Sequence, residues 1–201
     1  LSDRLATLGA LPLEVSTIEI EALPVGPLDR AIGDFGKYAW VAFTSANAAN
    51  IFFGRLGAKG LDARALGPVR VAAIGPATAT ALRRYGVTAD AVPTNYVAES
   101  LTKALAGHDL GGKRVLLPRS ADGRDAIVSG LTALGATVDD VHIYRAVTPK
   151  DSVGRIKNFL TDGVDIATFT SSSTVTNLMA LVGDCKALRG VTIACIGPIT
   201  A

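Results

Sequence analysis

Six short segments of this chain set hydroxyl, amide or glycine residues where an apolar run gives way to a helical pattern. They are Thr44-Ser45-Ala46-Asn47, Gly75-Pro76-Ala77-Thr78, Asn95-Tyr96-Val97-Ala98, Arg119-Ser120-Ala121-Asp122, Thr170-Ser171-Ser172-Ser173 and Gly197-Pro198-Ile199-Thr200. Such residues cap helices, because their oxygens accept the unpaired N–H groups of the first turn. The same helix starts also offer N–H groups and partial positive charge to an anion. A single segment of this kind reads as a cap and nothing more. Their repetition at the carboxyl ends of strands, where open α/β sheets bind ligands, points to a ligand with several negative charges.

Three further side chains carry two readings each. Tyr144 lies in an alternating stretch, His142-Ile143-Tyr144-Arg145-Ala146, where tyrosine is a favoured strand residue. It could equally present a phenol that donates a proton or hydrogen bond. Arg119 and Arg124 follow the apolar run Val115-Leu116-Leu117 and can grip carboxylates at two points, although arginines commonly stay solvated. Trp40 lies just before a strand and is expected to pack.

Other chemistries are excluded by pattern. There is no Gly-x-Gly-x-x-Gly after a strand, no phosphate loop ending in Gly-Lys-Ser/Thr and no Gly-x-Ser-x-Gly elbow. The two histidines, His108 and His142, and the two cysteines, Cys185 and Cys195, have no metal-site spacing, so no metal and no cofactor are expected.

The elements that must position these residues recur within the chain. Leu8-Gly9-Ala10 returns as Leu134-Gly135-Ala136 (134 − 8 = 126), and Phe43-Thr44-Ser45 returns as Phe169-Thr170-Ser171 (169 − 43 = 126). Ile74-Gly75-Pro76-Ala77-Thr78-Ala79 returns as Ile196-Gly197-Pro198-Ile199-Thr200-Ala201 at 197 − 75 = 122, so four residues are lost between the second and third blocks. Each copy alternates short apolar strands, such as Val41–Phe43, Val69–Ile74, Ile166–Phe169 and Val191–Ile196, with helices. That alternation predicts an α/β protein of two similar domains, with parallel sheets flanked by helices. Thr17–Glu21 and His142–Ala146 alternate polar with apolar residues and read as a two-stranded β connector. The expected division is residues 1–20 plus 148–201 for one domain and 25–140 for the other, with connectors at 17–24 and 141–147. Arg114–Pro118 reads as a strand with no counterpart in the first copy, and the helix and strand after Thr78-Ala79 have none in the second. The first domain is therefore expected to be incomplete at both ends, with a further strand beside Ile166–Phe169 or Val191–Ile196 in a longer chain.

Composition agrees with a folded domain pair: 201 residues, 49% hydrophobic and 19% charged, can bury a core. The net charge of +2 is scattered and forms no basic stripe, so nucleic acid is not an expected partner. No run of about 18 apolar residues occurs, so no membrane partner is expected. The opening Leu1-Ser2-Asp3-Arg4 lacks the features of a signal peptide, and a cytoplasmic location is expected.

Taken in order, these blocks resemble the uroporphyrinogen-III synthase family. The resemblance rests on Phe43-Thr44-Ser45 with Asn47, Ile74–Ala79, Pro93-x-x-Tyr96-x-x-Glu99-x-Leu101, Pro118-Arg119 with Arg124, Leu134–Ala136, Tyr144-Arg145, Phe169–Ser171 and Ile196–Ala201. It implies two α/β domains with the active site in a cleft. It also implies a lyase reaction of haem and other tetrapyrrole biosynthesis: linear hydroxymethylbilane loses water and closes to uroporphyrinogen III, with ring D inverted through a spiro intermediate. The expected small-molecule partner is thus a linear tetrapyrrole with many carboxylates, handled without cofactor by a monomer. A tyrosine matching Tyr144 would assist departure of the hydroxyl, and threonines matching Thr78 and Thr200 would lie near the substrate. Its carboxylate arms would meet Thr44, Ser45, Asn47, Gly75, Tyr96, Arg119, Arg124, Ser171 and Ser172. The rival reading is a non-catalytic sensor domain of the same fold that binds an anionic ligand within a fusion protein.

Overall fold

The computed structural model describes the chain except Tyr96, Arg124 and Ile199, and except the side chain of Ala98. In chain order the elements are α1 (Ser2–Thr7), β1 (Glu19–Ala22), α2 (Gly26–Gly33), β2 (Trp40–Phe43), α3 (Ala46–Ala58), β3 (Arg70–Ala73), α4 (Pro76–Arg83), α5 (Ala98–Ala106), β4 (Arg114–Ser120), α6 (Ala126–Ala133), β5 (Thr137–Val147), α7 (Ser152–Asp162), β6 (Ile166–Phe169), α8 (Ser172–Val182) and β7 (Thr192–Cys195). The chain divides into two compact units, one of Leu1–Ile20 with Ala146–Ala201 and one of Glu21–Arg145.

In the unit Glu21–Arg145, one sheet runs in the order β1-β5-β4-β2-β3, and β2 pairs in parallel with both β3 and β4, as β4 does with β5. Every residue of β2 is buried. Successive side chains of a strand point to opposite faces, and each face of β2 meets its own apolar cluster. Val41 and Phe43 join Leu28, Phe52, Leu56 and Leu82, carried by α2, α3 and α4. Trp40 and Ala42 join Leu101, Leu105, Ile127 and Leu131, carried by α5 and α6. Helices on both faces explain why the strand is an unbroken apolar run. Phe43 and Phe52 meet edge to face with ring centres 5.1 Å apart, which locks α3 against the sheet.

The other unit repeats the central pairing. Its β6 and β7 are parallel, with Ile166 opposite Thr192 and Phe169 opposite Cys195, as Trp40 stands opposite Arg70 and Phe43 opposite Ala73. The offsets are 166 − 40 = 126 and 192 − 70 = 122, so the four-residue change falls in the connection between the paired strands. Burial differs between the copies: Trp40 is 2% exposed and Ile166 59%. In the first copy β4 lies along β2. Among the described residues β6 pairs with β7 alone, and it borders a groove of about 710 Å³ lined by Leu5, Leu11, Ile156, Phe159 and Leu178.

Two local expectations differ from the structure. Arg119-Ser120-Ala121-Asp122 is not a helix start: β4 continues through Ser120, and α6 begins at Ala126. The strand persists because Arg119 reaches a carboxylate on β5 and the Ala121 N–H donates to the Tyr144 carbonyl. The strand expected after α4 is reduced to a single bridge, Ala72 to Ala91. No helix among the described residues is long and apolar enough to cross a membrane.

Candidate active site

Strands β2, β3, β4 and β5 are parallel, so their carboxyl ends share one edge of the sheet. From β2 the chain moves outward to β3, and from β4 it moves outward the other way to β5, which makes the β2–β4 pair the topological switch point. Ligands of open α/β sheets settle at the carboxyl ends beside such a point. Thr44, Ser45 and Asn47 follow β2 there, Gly75 and Thr78 follow β3, and Ser120 closes β4.

Ser45 is the N-cap of α3, extended at φ −159° and ψ 157°, and its hydroxyl oxygen accepts the Ala48 N–H at 3.0 Å. Thr44 is half-buried and Asn47 exposed. Gly75 caps α4 with Pro76 at the first helical position, where a missing N–H costs nothing. Thr78 is buried in the first turn of that helix.

Tyr144 reaches this edge through an irregularity in β5. The pairing with β4 runs in step to Arg119 opposite His142 and resumes with Ser120 opposite Tyr144, so Ile143 is an extra residue. Such a bulge turns the side chain that follows it. Strict alternation would send Ile143 and Tyr144 to opposite faces, yet both belong to the cluster of Phe43 and Phe52. The ring is 7% exposed, and its hydroxyl lies 2.9 Å from the Ser45 hydroxyl. β4 stands between β2 and β5 in the sheet, so this bond ties together the ends of two strands that are not neighbours.

Arg119 lies on β4 and is 3% exposed. Its Nε and Nη2 donate to the two carboxylate oxygens of Asp140, each at 2.7 Å, and Nη2 also donates to Asp125 at 2.9 Å. The hydrogen bonds to Asp140 raise the guanidinium pKa further. Burial pushes the Asp140 carboxyl up, but the hydrogen bond and charge of Arg119, with His142 3.2 Å away, more than reverse this and hold it below the ordinary carboxylate value. The two-point grip of Arg119 is thus closed on the chain's own carboxylates. Tyr96 and Arg124 lie outside the described residues.

In the other unit Ser171 caps α8 as Ser45 caps α3, at φ −162° and ψ 155°, and accepts the Thr174 N–H at 3.3 Å. Ser172 is exposed in the first turn, and Thr200 is half-buried just after β7, its N–H donating to the Gly197 carbonyl. Among the described residues no three His, Cys, Asp or Glu side chains are grouped as a metal site would need.

A doubly wound α/β unit with a phenol and a capping hydroxyl at its switch point, together with a unit that repeats its central pairing and its cap, defines a class of two-unit α/β proteins. The family model for uroporphyrinogen-III synthase HemD matches residues 1–201. A putative uroporphyrinogen-III synthase of Methanothermobacter thermautotrophicus is 34% identical over 96% of this chain and 78% of its own length. The uroporphyrinogen-III synthase of Synechococcus elongatus is 33% identical over 98% of the chain and 78% of its own length. The porphyrin biosynthesis protein HemD of Ruminiclostridium josui is 32% identical over the whole chain, which spans 40% of that longer protein. In fold, the chain is similar to crystal structures of uroporphyrinogen III synthase from Thermus thermophilus, in a mutant form (TM-score 0.65, 22% identity, 100% of this chain and 81% of that one), and from Helicobacter pylori (0.61, 18%, 92% and 77%). The chain belongs to the uroporphyrinogen-III synthase family.

The caps were visible in the sequence because residue type and position identify them together. The Asp140 partner of Arg119 was not, since it is 21 residues away and meets Arg119 only across paired strands. Its one sequence signal is the acidic pair Asp139-Asp140 within the strand Thr137–Val147.

Proposed function

We propose that this chain catalyses the dehydrating closure of hydroxymethylbilane to uroporphyrinogen III, as a hydro-lyase that needs no cofactor. The observation that carries the reading is the Tyr144 phenol, turned by the β5 bulge onto the carboxyl edge of the sheet beside Ser45, in a chain of this family.

The chemistry asks for few groups. The C–O bond of the hydroxymethyl arm breaks with its electron pair on oxygen, and the pyrrole nitrogen of the same ring stabilises the cation left on carbon. Tyr144 supplies the proton that turns the departing hydroxyl into water. A proton released when the closed macrocycle regains its pyrrole form restores the phenol. The rest of the work is to hold a flexible chain so that ring D closes in the inverted sense, which is catalysis by orientation. Carboxylate arms of the substrate meet the hydroxyls and helix starts at Thr44, Asn47, Gly75 and Thr78, and in the other unit Ser171, Ser172 and Thr200 carry hydroxyls of the same kind. Arg119 contributes by tying β4 to β5 through Asp140 and to the start of α6 through Asp125. The protein acts as a monomer in the cytoplasm.

The test is an assay with freshly generated hydroxymethylbilane, in which the type I and type III isomers are separated. The type III isomer is expected in excess over a no-protein control. Product of type I alone, at the spontaneous rate, would overturn the assignment. The sensor reading has no support among the relatives described.

A further inference from the structure

Tyr144 sits against a residue whose position is set independently. Ser45 is fixed by its own helix: its oxygen accepts the Ala48 N–H, which leaves one lone pair and the hydroxyl proton for a second partner. That partner is the Tyr144 hydroxyl at 2.9 Å. A tyrosine oxygen that accepts a hydrogen bond has its own O–H released toward a third group, and the bond it accepts stabilises the charge that grows as that proton leaves. The N-terminus of α3 adds partial positive charge at the same place.

The internal repeat separates capping from the contact with the phenol. Ser171, 126 residues after Ser45, has the same extended backbone and accepts the N–H three residues on, but its hydroxyl neighbours are Ser173 and Thr174 of its own helix. The position 126 residues before Tyr144 is Ile18. A cap serine at this point of the fold needs no tyrosine, and the link in the unit Glu21–Arg145 exists because the bulge at Ile143 brings Tyr144 round to it.

We propose that Ser45 is a positioning residue for Tyr144: its hydroxyl donates to the phenol oxygen, aims the phenol proton away from the sheet and holds the phenolate formed when that proton passes to the departing hydroxyl. The proposal rests on the catalytic reading of Tyr144 and goes beyond it by assigning Ser45 an action through Tyr144 rather than on the substrate.

The test is a set of four substitutions, Ser45→Gly, Ser45→Asp, Ser45→Thr and Tyr144→Phe, with the double variant Ser45→Gly/Tyr144→Phe, all assayed for type III product. Glycine removes the hydroxyl and remains a tolerable cap; aspartate keeps a strong cap acceptor but has no proton to donate at neutral pH; threonine keeps the hydroxyl. Expected are a roughly 3- to 10-fold loss of kcat for Ser45→Gly, at least as large a loss for Ser45→Asp, unchanged KM, and near-normal turnover for Ser45→Thr. In the Tyr144→Phe background, Ser45→Gly should cost nothing further. Multiplicative losses in the double variant, or a raised KM in Ser45→Gly, would overturn the positioning role while leaving Tyr144 catalytic. Full turnover in Tyr144→Phe would instead sink the catalytic reading and this proposal with it. A Ser45→Gly too unstable to assay leaves the decision to Ser45→Asp, where normal turnover would overturn the proposal.

Discussion

Arg119 and Asp140 face each other across β4 and β5 with two parallel bonds of 2.7 Å, and the arginine is 3% exposed. A guanidinium so far from water is held only by its partners, and the second of these, Asp125, is itself largely exposed. Neutralising one member of such a pair takes the closest opposing charge from a group that stays buried, which is costlier than never having had the pair.

Asp140→Asn should therefore destabilise the fold by about 2–4 kcal/mol at neutral pH. The pH dependence follows from the lowered carboxyl pKa of Asp140. As pH falls, the unfolded chain takes up a proton at this residue first, near 3.8, and the folded chain only below that. The stabilisation is complete above the unfolded value and is lost as pH drops through the folded one. Urea midpoints between pH 6 and pH 2.5 should show the wild-type advantage over Asp140→Asn constant at the upper end and shrinking below pH 4. A gap that stays constant to the acid end would remove the ion pair as its source.

Gly123 tests the same network from the loop side. A methyl group there would lie 2.6 Å from Arg119 Nη1 and 3.1 Å from the Ser120 carbonyl oxygen, and Arg119 cannot retreat without releasing Asp140 or Asp125. Gly123→Ala should cost about 1–3 kcal/mol. Gly54, inside α3 and exposed, has nothing within 4 Å of such a methyl, so Gly54→Ala should stabilise by up to about 1 kcal/mol through helix propensity. Thermal midpoints moving in opposite directions are the expected result, and a neutral Gly123→Ala would mean that the loop yields freely.

The sequence made some of this legible and hid the rest for identifiable reasons. Ser45 and Ser171 announce their helices because a hydroxyl after an apolar run is a local signal, and the structure places both as N-caps. Strands β2, β3, β6 and β7 could be read from short apolar runs, and their common register from the repeat. The end of β4 could not: Arg119-Ser120-Ala121-Asp122 has the composition of a helix start, and it stays extended because of bonds to β5 that no local pattern contains. The facing of Tyr144 was hidden for the same reason. Alternation along His142–Ala146 assigns it to one face, and the bulge that moves it is a property of pairing with β4. Local propensity is written in neighbours along the chain, whereas sheet register is decided by residues 20 or more positions away.

Metal removal offers an independent check on the chemistry. The described donor side chains form no group of three or more suited to a cation, and the reaction proposed needs none. Type III synthesis should be unchanged after prolonged chelation and dialysis. A loss reversed by zinc or magnesium would show that the proton donor is not the whole of the catalytic apparatus.

Tyr144 itself is best weighed against a second tyrosine of the same unit. Tyr38 precedes β2, at the amino edge of the sheet, where its hydroxyl donates to Asp139 at 2.5 Å and the Arg114 guanidinium lies over its ring, centred 4.9 Å away. Burial and the Asp139 carboxylate raise its pKa well above the ordinary phenol value, so it remains protonated through the neutral range. Both phenols make one hydrogen bond to a side chain, and removal of either oxygen should cost about 1 kcal/mol of stability, somewhat more for the bond to a charged partner at Tyr38. Their effects on turnover should separate. Tyr144→Phe keeps the ring's packing with Phe43 and Phe52 while deleting the donor, and kcat should fall roughly 10- to 1,000-fold with little change in KM. The lower half of that range is expected, because a water molecule can partly replace the phenol as proton donor. Tyr38→Phe lies at the opposite edge from the helix starts and should leave kcat within about 2-fold of wild type despite its larger stability cost. Equal turnover losses in the two variants would trace the effect to general destabilisation, and full turnover in Tyr144→Phe would make that tyrosine a packing residue.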